Sequence, residues 1–129
     1  MHKWSGWLLV LVIVAIVTTG GLLSQRYLDR SASDLVSLLK PVQQAVDHQD
    51  WGESAGSLAK LEKSWNRVHS NWALIAEHQE LDHLELSLVR LREFIESRDE
   101  VNARVEAGEA MNQIRQIPER ERLTWRNIF

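Results

Sequence analysis

The stretch WGESAGSLAKLEKSWNRVHSNWALI, from Trp51 to Ile75, decides the fold. Trp51, Leu58, Trp65 and Trp72 recur at intervals of seven, and Leu61, Val68 and Ile75 follow three residues later in each heptad. Ser54 is the first, weak member of the second row. Two rows at this spacing make one apolar stripe on a helix, and the stripe needs other helices to cover it. The same register would next place apolar residues at Gln79 and Asp82, so the helix is expected to end or bend near Glu77. At its start, Asp50 followed by Glu53 reads as a capping box with aspartate in the serine role.

Working outward, the next stripe begins two residues out of phase: Leu81, Leu84, Leu88, Leu91 and Ile95, with Glu85, Arg90, Arg92, Glu93 and Glu96 on the outer face. Ser97-Arg-Asp99 is a turn, and Asp99 caps a last helix with Val101, Val105, Met111, Ile114 and Ile117 facing inward. Pro118 is expected to stop that helix. Gly108 costs it about 1 kcal/mol against alanine, which points to a close helix contact there. Before the tryptophan stripe, Leu35, Leu38, Leu39, Val42, Ala45 and Val46 follow helical spacing, interrupted only by Pro41, which kinks the helix or marks its first turn. His48-Gln-Asp50 is the turn that follows. A shift of 49 residues superposes Leu35, Leu39, Val42, Val46, Asp50, Trp65 and Val68 on Leu84, Leu88, Leu91, Ile95, Asp99, Ile114 and Ile117, with three of the seven pairs identical, but any two capped hairpins would align similarly.

The N-terminal part is of another kind. Residues 4–25 carry no charge. As a helix, Trp4 to Leu23 is roughly 30 Å long, the thickness of a bilayer core. Trp4 and Trp7 suit one interface, Arg26 and Tyr27 the other. A cleaved signal peptide competes with an uncleaved anchor. The long apolar run and the small stretch Thr18-Thr-Gly-Gly21, with no Ala-x-Ala site, favour the anchor. Lys3 precedes the span while Arg26, Arg30 and Lys40 follow it, so a literal charge count leans toward a cytoplasmic C-terminal part. A short N-terminal flank favours the opposite topology, which we adopt: N-terminus inside, C-terminal domain outside the cytoplasm.

The expected fold is therefore all-α: an N-terminal transmembrane helix followed by an antiparallel bundle of about four amphipathic helices, arranged as two helical hairpins. Residues 1–25 form the membrane anchor and 26–129 the extracytoplasmic helical domain. The whole chain of 129 residues has 44% hydrophobic residues, no cysteine and a formal net charge of −3. This excludes a disulfide framework and a cysteine-ligated metal, and it advertises no nucleic-acid surface. From Ser24 onward, 14 lysines and arginines face all 18 acids, which does not support a general clamp on anionic lipid.

Chemistry-bearing patterns are sparse. Glu80-Leu-Asp-His83 has the Glu-x-x-His spacing of di-iron bundles, and His78 lies one turn before Asp82. A di-iron site needs a second such pair, so His78, Glu80, Asp82 and His83 are weak metal candidates beside the reading as a polar helix start. His48 and His69 read as solvent-facing or hydrogen-bonded side chains. No nucleophile elbow or phosphate-cradling glycine loop occurs. No catalytic residue, cofactor or enzymatic activity is expected. Trp51, Leu58, Trp65 and Trp72 read as a packing stripe. The apolar tail with Leu123, Trp125, Asn127, Ile128 and Phe129 either docks on the bundle or binds a partner, and docking is the favoured reading.

The order of an N-terminal anchor, Trp65-x6-Trp72, His78-x-Glu80-Leu81-Asp82, the Leu88-x2-Leu91 helix, Asp99 and Glu121-x-Leu-Thr-x2-Asn127-Ile-Phe129 resembles a bacterial family of short single-pass proteins catalogued as domain of unknown function 4363. The resemblance covers nearly the whole chain. It implies a membrane-anchored helical protein and carries over no catalytic or binding residue. The leading functional expectation is a non-enzymatic interaction or scaffold module at the cell envelope. It would contact the bilayer through residues 4–23 and a protein partner through its bundle. The alternative is a small-ligand or signal-sensing helical ectodomain that works with a partner protein.

Overall fold

A computed structural model describes residues 2–128, with side-chain surroundings from Lys3 onward. Four helices follow one another: α1 (His2–Asp47), α2 (Trp51–Ala73), α3 (His78–Glu96) and α4 (Glu100–Ile128). No strand occurs among the described residues. Short turns make successive helices antiparallel. In the resulting ring, α1 packs between α2 and α4, and α3 packs between the same two. The all-α bundle expected from the sequence is thus present, with one helix fewer. The apolar N-terminal segment and the first bundle helix are a single element, α1, which runs through Pro41.

The two ends of α1 have unlike surroundings. From Leu28 onward, Leu35, Leu39, Val42 and Val46 are buried in the bundle. Before Gly21, by contrast, Trp4, Trp7, Leu8, Leu9, Leu11, Ile13 and Ile16 are all exposed. This part of α1 is long and apolar enough to cross a membrane, and it lies near the N-terminus, as a signal sequence also would.

The tryptophan stripe lies where its spacing puts it. Leu58, Leu61, Trp65 and Trp72 are buried, while Trp51, Val68 and Ile75 pack at the margin of the core. Trp65 and Trp72 meet edge to face with centroids 5.5 Å apart, a geometry that aligns a positive ring edge with a negative ring face. Each indole N–H is satisfied: Trp72 Nε1 donates to Ser31 Oγ at 2.8 Å, and Trp65 Nε1 donates to Glu85. In α3, Leu81, Leu84, Leu88, Leu91 and Ile95 are all buried.

The turns before α2 and α4 share one design. The Asp50 N–H reaches back to Ala45 O at 2.9 Å and the Gln49 N–H to Val46 O at 2.9 Å. Likewise the Asp99 N–H reaches Phe94 O at 2.8 Å and the Arg98 N–H reaches Ile95 O at 3.1 Å. Both are Schellman closures. Gln49 and Arg98 hold the left-handed position, with φ of 55° and 56°, where glycine is the usual residue. The aspartate that follows then caps the next helix. Asp50 Oδ1 accepts from the Glu53 N–H at 3.2 Å, and Asp99 Oδ1 accepts from the Asn102 N–H at 3.1 Å. The 49-residue correspondence therefore extends to backbone geometry at the two turns. Only half of the expected capping box forms at Asp50, because the Glu53 carboxylate accepts from Ser57 Oγ instead.

Helix α4 corrects three expectations. Val101 and Val105 are exposed, and the inward face begins instead with Ala103, Ala107 and Ala110, before Met111, Ile114 and Ile117. Gly108 faces open space, so it marks no close helix contact. Pro118 is buried inside the helix, which continues ten residues further to Ile128. Losing the bond from Pro118 to the Ile114 carbonyl should favour a stop. The segment beyond Pro118 stays helical because it packs on α1, as described next.

Candidate functional site

The functional features gather where α4 passes the junction between the buried and the exposed parts of α1. Gly21 is the close contact at this level: a Cβ built on it would stand 3.0 Å from the Trp125 ring. The indole thus lies close on the α1 backbone, where a methyl group at Gly21 would push the ring back by a few tenths of an ångström. One turn up, Gln25 Nε2 donates to the Pro118 carbonyl and to Asp29 Oδ1, each at 3.0 Å. Asp29 in turn receives both hydrogen bonds of Arg122 Nη2, at 2.8 and 2.9 Å. Arg122 also pairs with Glu119 on its own helix. The Gln25–Pro118 and Asp29–Arg122 contacts each join residues 93 apart in sequence. No local pattern signals them.

Removal of residues 123–129 is accordingly expected to lower the melting temperature. Losing the half-buried Trp125 contact is worth about 1–2 kcal/mol, or about 5–10 °C in a domain of this size. An unchanged melting curve for the truncated chain would contradict that contact. Trp125 is half-buried, whereas Leu123, Asn127 and Ile128 are exposed; Phe129 lies outside the described residues.

The polar cluster at the start of α3 divides. Glu80 is buried, and its Oε1 accepts from Arg120 Nη1 of α4 at 2.5 Å. Its Oε2 is buried and makes no hydrogen bond within the described residues. His78, Asp82 and His83 are exposed, so the Glu80–His83 pair does not converge on one point. No three histidine, aspartate or glutamate side chains gather to hold a metal ion among the described residues. Glu80 does lie in the first turn of α3, and beyond the expected helix-start role it forms a cross-helix ion pair.

That pair affects its neighbour. Burial, then the charges of Glu80 and Glu77, hold the Glu121 carboxyl above its usual range. Ionising Glu121 is therefore harder in the folded chain than in the unfolded one. The stability linked to it is complete below its unfolded pKa and is lost as pH rises through the folded value. Glu121→Gln cannot ionise. Its melting temperature relative to the parent is expected to rise between pH 4 and pH 7, and a difference that stays flat with pH would refute the burial of Glu121.

At the other end of the bundle, Lys40, Gln43, Gln44, Asp47, Arg104 and Ala107 line an open polar cleft. Its Arg104 and Asp47 already serve the fold, since Arg104 Nε donates to Asp47 at 3.0 Å and Nη2 to Glu100 at 2.7 Å. The His69 and Trp65 rings meet in a T-shaped contact, with centroids 5.2 Å apart, and His48 Nδ1 lies 2.7 Å from the Gln44 carbonyl.

The family model described as Domain of unknown function (DUF4363) matches residues 22–128. The chain belongs to this family. The DUF4363 match begins one residue after Gly21 and runs through the α4 tail, so it takes in the bundle part of α1 and all of α2, α3 and α4. The exposed apolar stretch before Leu22 lies outside it. No curated protein and no solved structure matches the chain. The Arg122–Asp29 and Arg120–Glu80 pairs both fall within the DUF4363 region.

Proposed function

We propose that this DUF4363 chain is a bacterial single-pass, membrane-anchored, non-enzymatic interaction or scaffold module, with its helical bundle outside the cytoplasm. The observation that carries the reading is the division of α1. A single helix is packed on α2 and α4 over its second half, yet leaves a run of large apolar side chains from Trp4 to Leu23 exposed to its surroundings. In water that surface is strongly unfavourable; in a bilayer it needs no protein partner, and the helix satisfies its own backbone groups. The bundle interior is filled by aliphatic, alanine and tryptophan side chains, as suits a rigid module presented at a membrane. Its partner would be another protein of the envelope.

Alkaline extraction of membranes tests the anchor: the full chain is expected to stay in the pellet, and release into the supernatant would overturn it. Reporters fused after Phe129 test topology. A reporter active only outside the cytoplasm is expected, and activity from a cytoplasm-specific one would reverse the orientation. Cross-linking in the native membrane then reads out the partner.

A further inference from the structure

Beside Trp125, a groove of about 500 Å³ opens between the two helices. Thr18, Gly21 and Leu22 form its α1 wall and Trp125 its α4 wall, with Gln25, Arg122 and Arg126 around them. We propose that this groove takes an acyl chain of an anionic phospholipid, with Arg126 holding the phosphate. The proposal rests on the membrane-anchored reading above.

Position argues for a lipid. From Thr18 to Gln25 the groove covers about 10 Å along α1, beginning inside the apolar stretch and ending at its polar edge. A chain bound there would lie alongside exposed Leu22 and Leu23, continuous with the bilayer that residues 4–23 would occupy. Absence of a side chain at Gly21 lets the indole of Trp125 form one apolar wall, and indoles favour the headgroup boundary.

Charge argues for an anionic headgroup. The Arg122 guanidinium is already neutralised by Asp29 and Glu119. Among the described residues no acid pairs with Arg126, which is exposed. Side chains on a helix lean toward its N-terminus. The N-terminus of α4 points away from the apolar stretch, so that lean would carry Arg126 from the groove toward the polar edge, where a phosphate would sit. The net negative charge of the bundle opposes a broad basic clamp, but it leaves this single cation at the mouth of an apolar slot.

The test uses the full chain reconstituted in vesicles of mixed phosphatidylcholine and phosphatidylglycerol. Native mass spectrometry after detergent extraction reads the lipids retained. Phosphatidylglycerol is expected to be retained about fivefold over its share, the factor that one arginine near an anionic surface contributes. Arg126→Gln is expected to bring the ratio close to parity, while Arg98→Gln, at the far turn, leaves it unchanged. Parity in the parent chain, or an equal preference in Arg126→Gln, overturns the proposal. Spontaneous disulfide dimers of Leu22→Cys would assign the groove to a second copy and overturn it too. Flotation separates the two readings. A chain that does not float with vesicles sinks the anchor and the groove together, and one that floats without lipid preference sinks the groove alone.

Discussion

Trp72→Ala is expected to remove about 3–5 kcal/mol of stability, the usual range for truncating a buried tryptophan. That is a large share of the 5–15 kcal/mol that holds a typical domain together. Trp72 has no exposed surface. It supports the edge-to-face contact with Trp65 and ties α2 to α1 through Ser31. Ser31 Oγ in turn donates to the Tyr27 carbonyl at 2.6 Å, so the indole closes a chain of two hydrogen bonds. The melting temperature of the full chain should fall by about 15 °C or more. Trp72→Phe keeps a ring in place and loses the donor, so its cost should be nearer 1–2 kcal/mol. Ser31→Ala leaves the indole N–H buried without an acceptor, and should cost about 1–3 kcal/mol. Combining Trp72→Phe with Ser31→Ala should cost less than the two single changes added together. Strict additivity would contradict the hydrogen bond, and a Trp72→Ala melting curve close to the parent's would contradict the burial.

The reason this region could be read from sequence is its side-chain size. Tryptophan and leucine at heptad spacing leave little freedom about which face is inside, and Leu58, Leu61, Trp65 and Trp72 are buried accordingly. The leucine stripe of α3 was equally plain. In α4 the inward row is alanine, which carries little weight in an apolar pattern, and the two valines that outweigh it lie on the opposite, exposed face. Counting back from Met111 in helical steps nevertheless lands on Ala107 and Ala103, not on Val105 and Val101, so the signal was present but weak. Other features left no local trace. Gly21 looked like part of a small-residue run, and its role depends on Trp125 more than a hundred residues later. Asp29 and Glu80 meet their arginines only because α4 continues past Pro118. Proline's local preference to stop a helix was overridden there by tertiary packing.

The alanine row is where the corrected register has its sharpest consequence. Ala103, Ala107 and Ala110 have no exposed surface, so α4 approaches its neighbours as closely as small side chains permit. A larger group at Ala110 would have to enter the core, with no path to solvent. Ala110→Leu is expected to destabilise the bundle by about 1–3 kcal/mol through forced rotamers and backbone shifts. Ala110→Asp, which buries a carboxylate with no partner, should cost about 3 kcal/mol or more. Val105→Ser, on the exposed face of the same helix, should stay within about 0.5 kcal/mol of the parent. Had the valines faced inward, Val105→Ser would instead open a polar hole in the core and cost well over ~0.5 kcal/mol, so that variant separates the two registers, whereas Ala110 shares the face of Ile114 and Ile117 in both. Thermal unfolding of the Val105→Ser full chain therefore decides whether the valine face of α4 holds the bundle together, and the Ala110 variants measure how tightly the alanine row is packed.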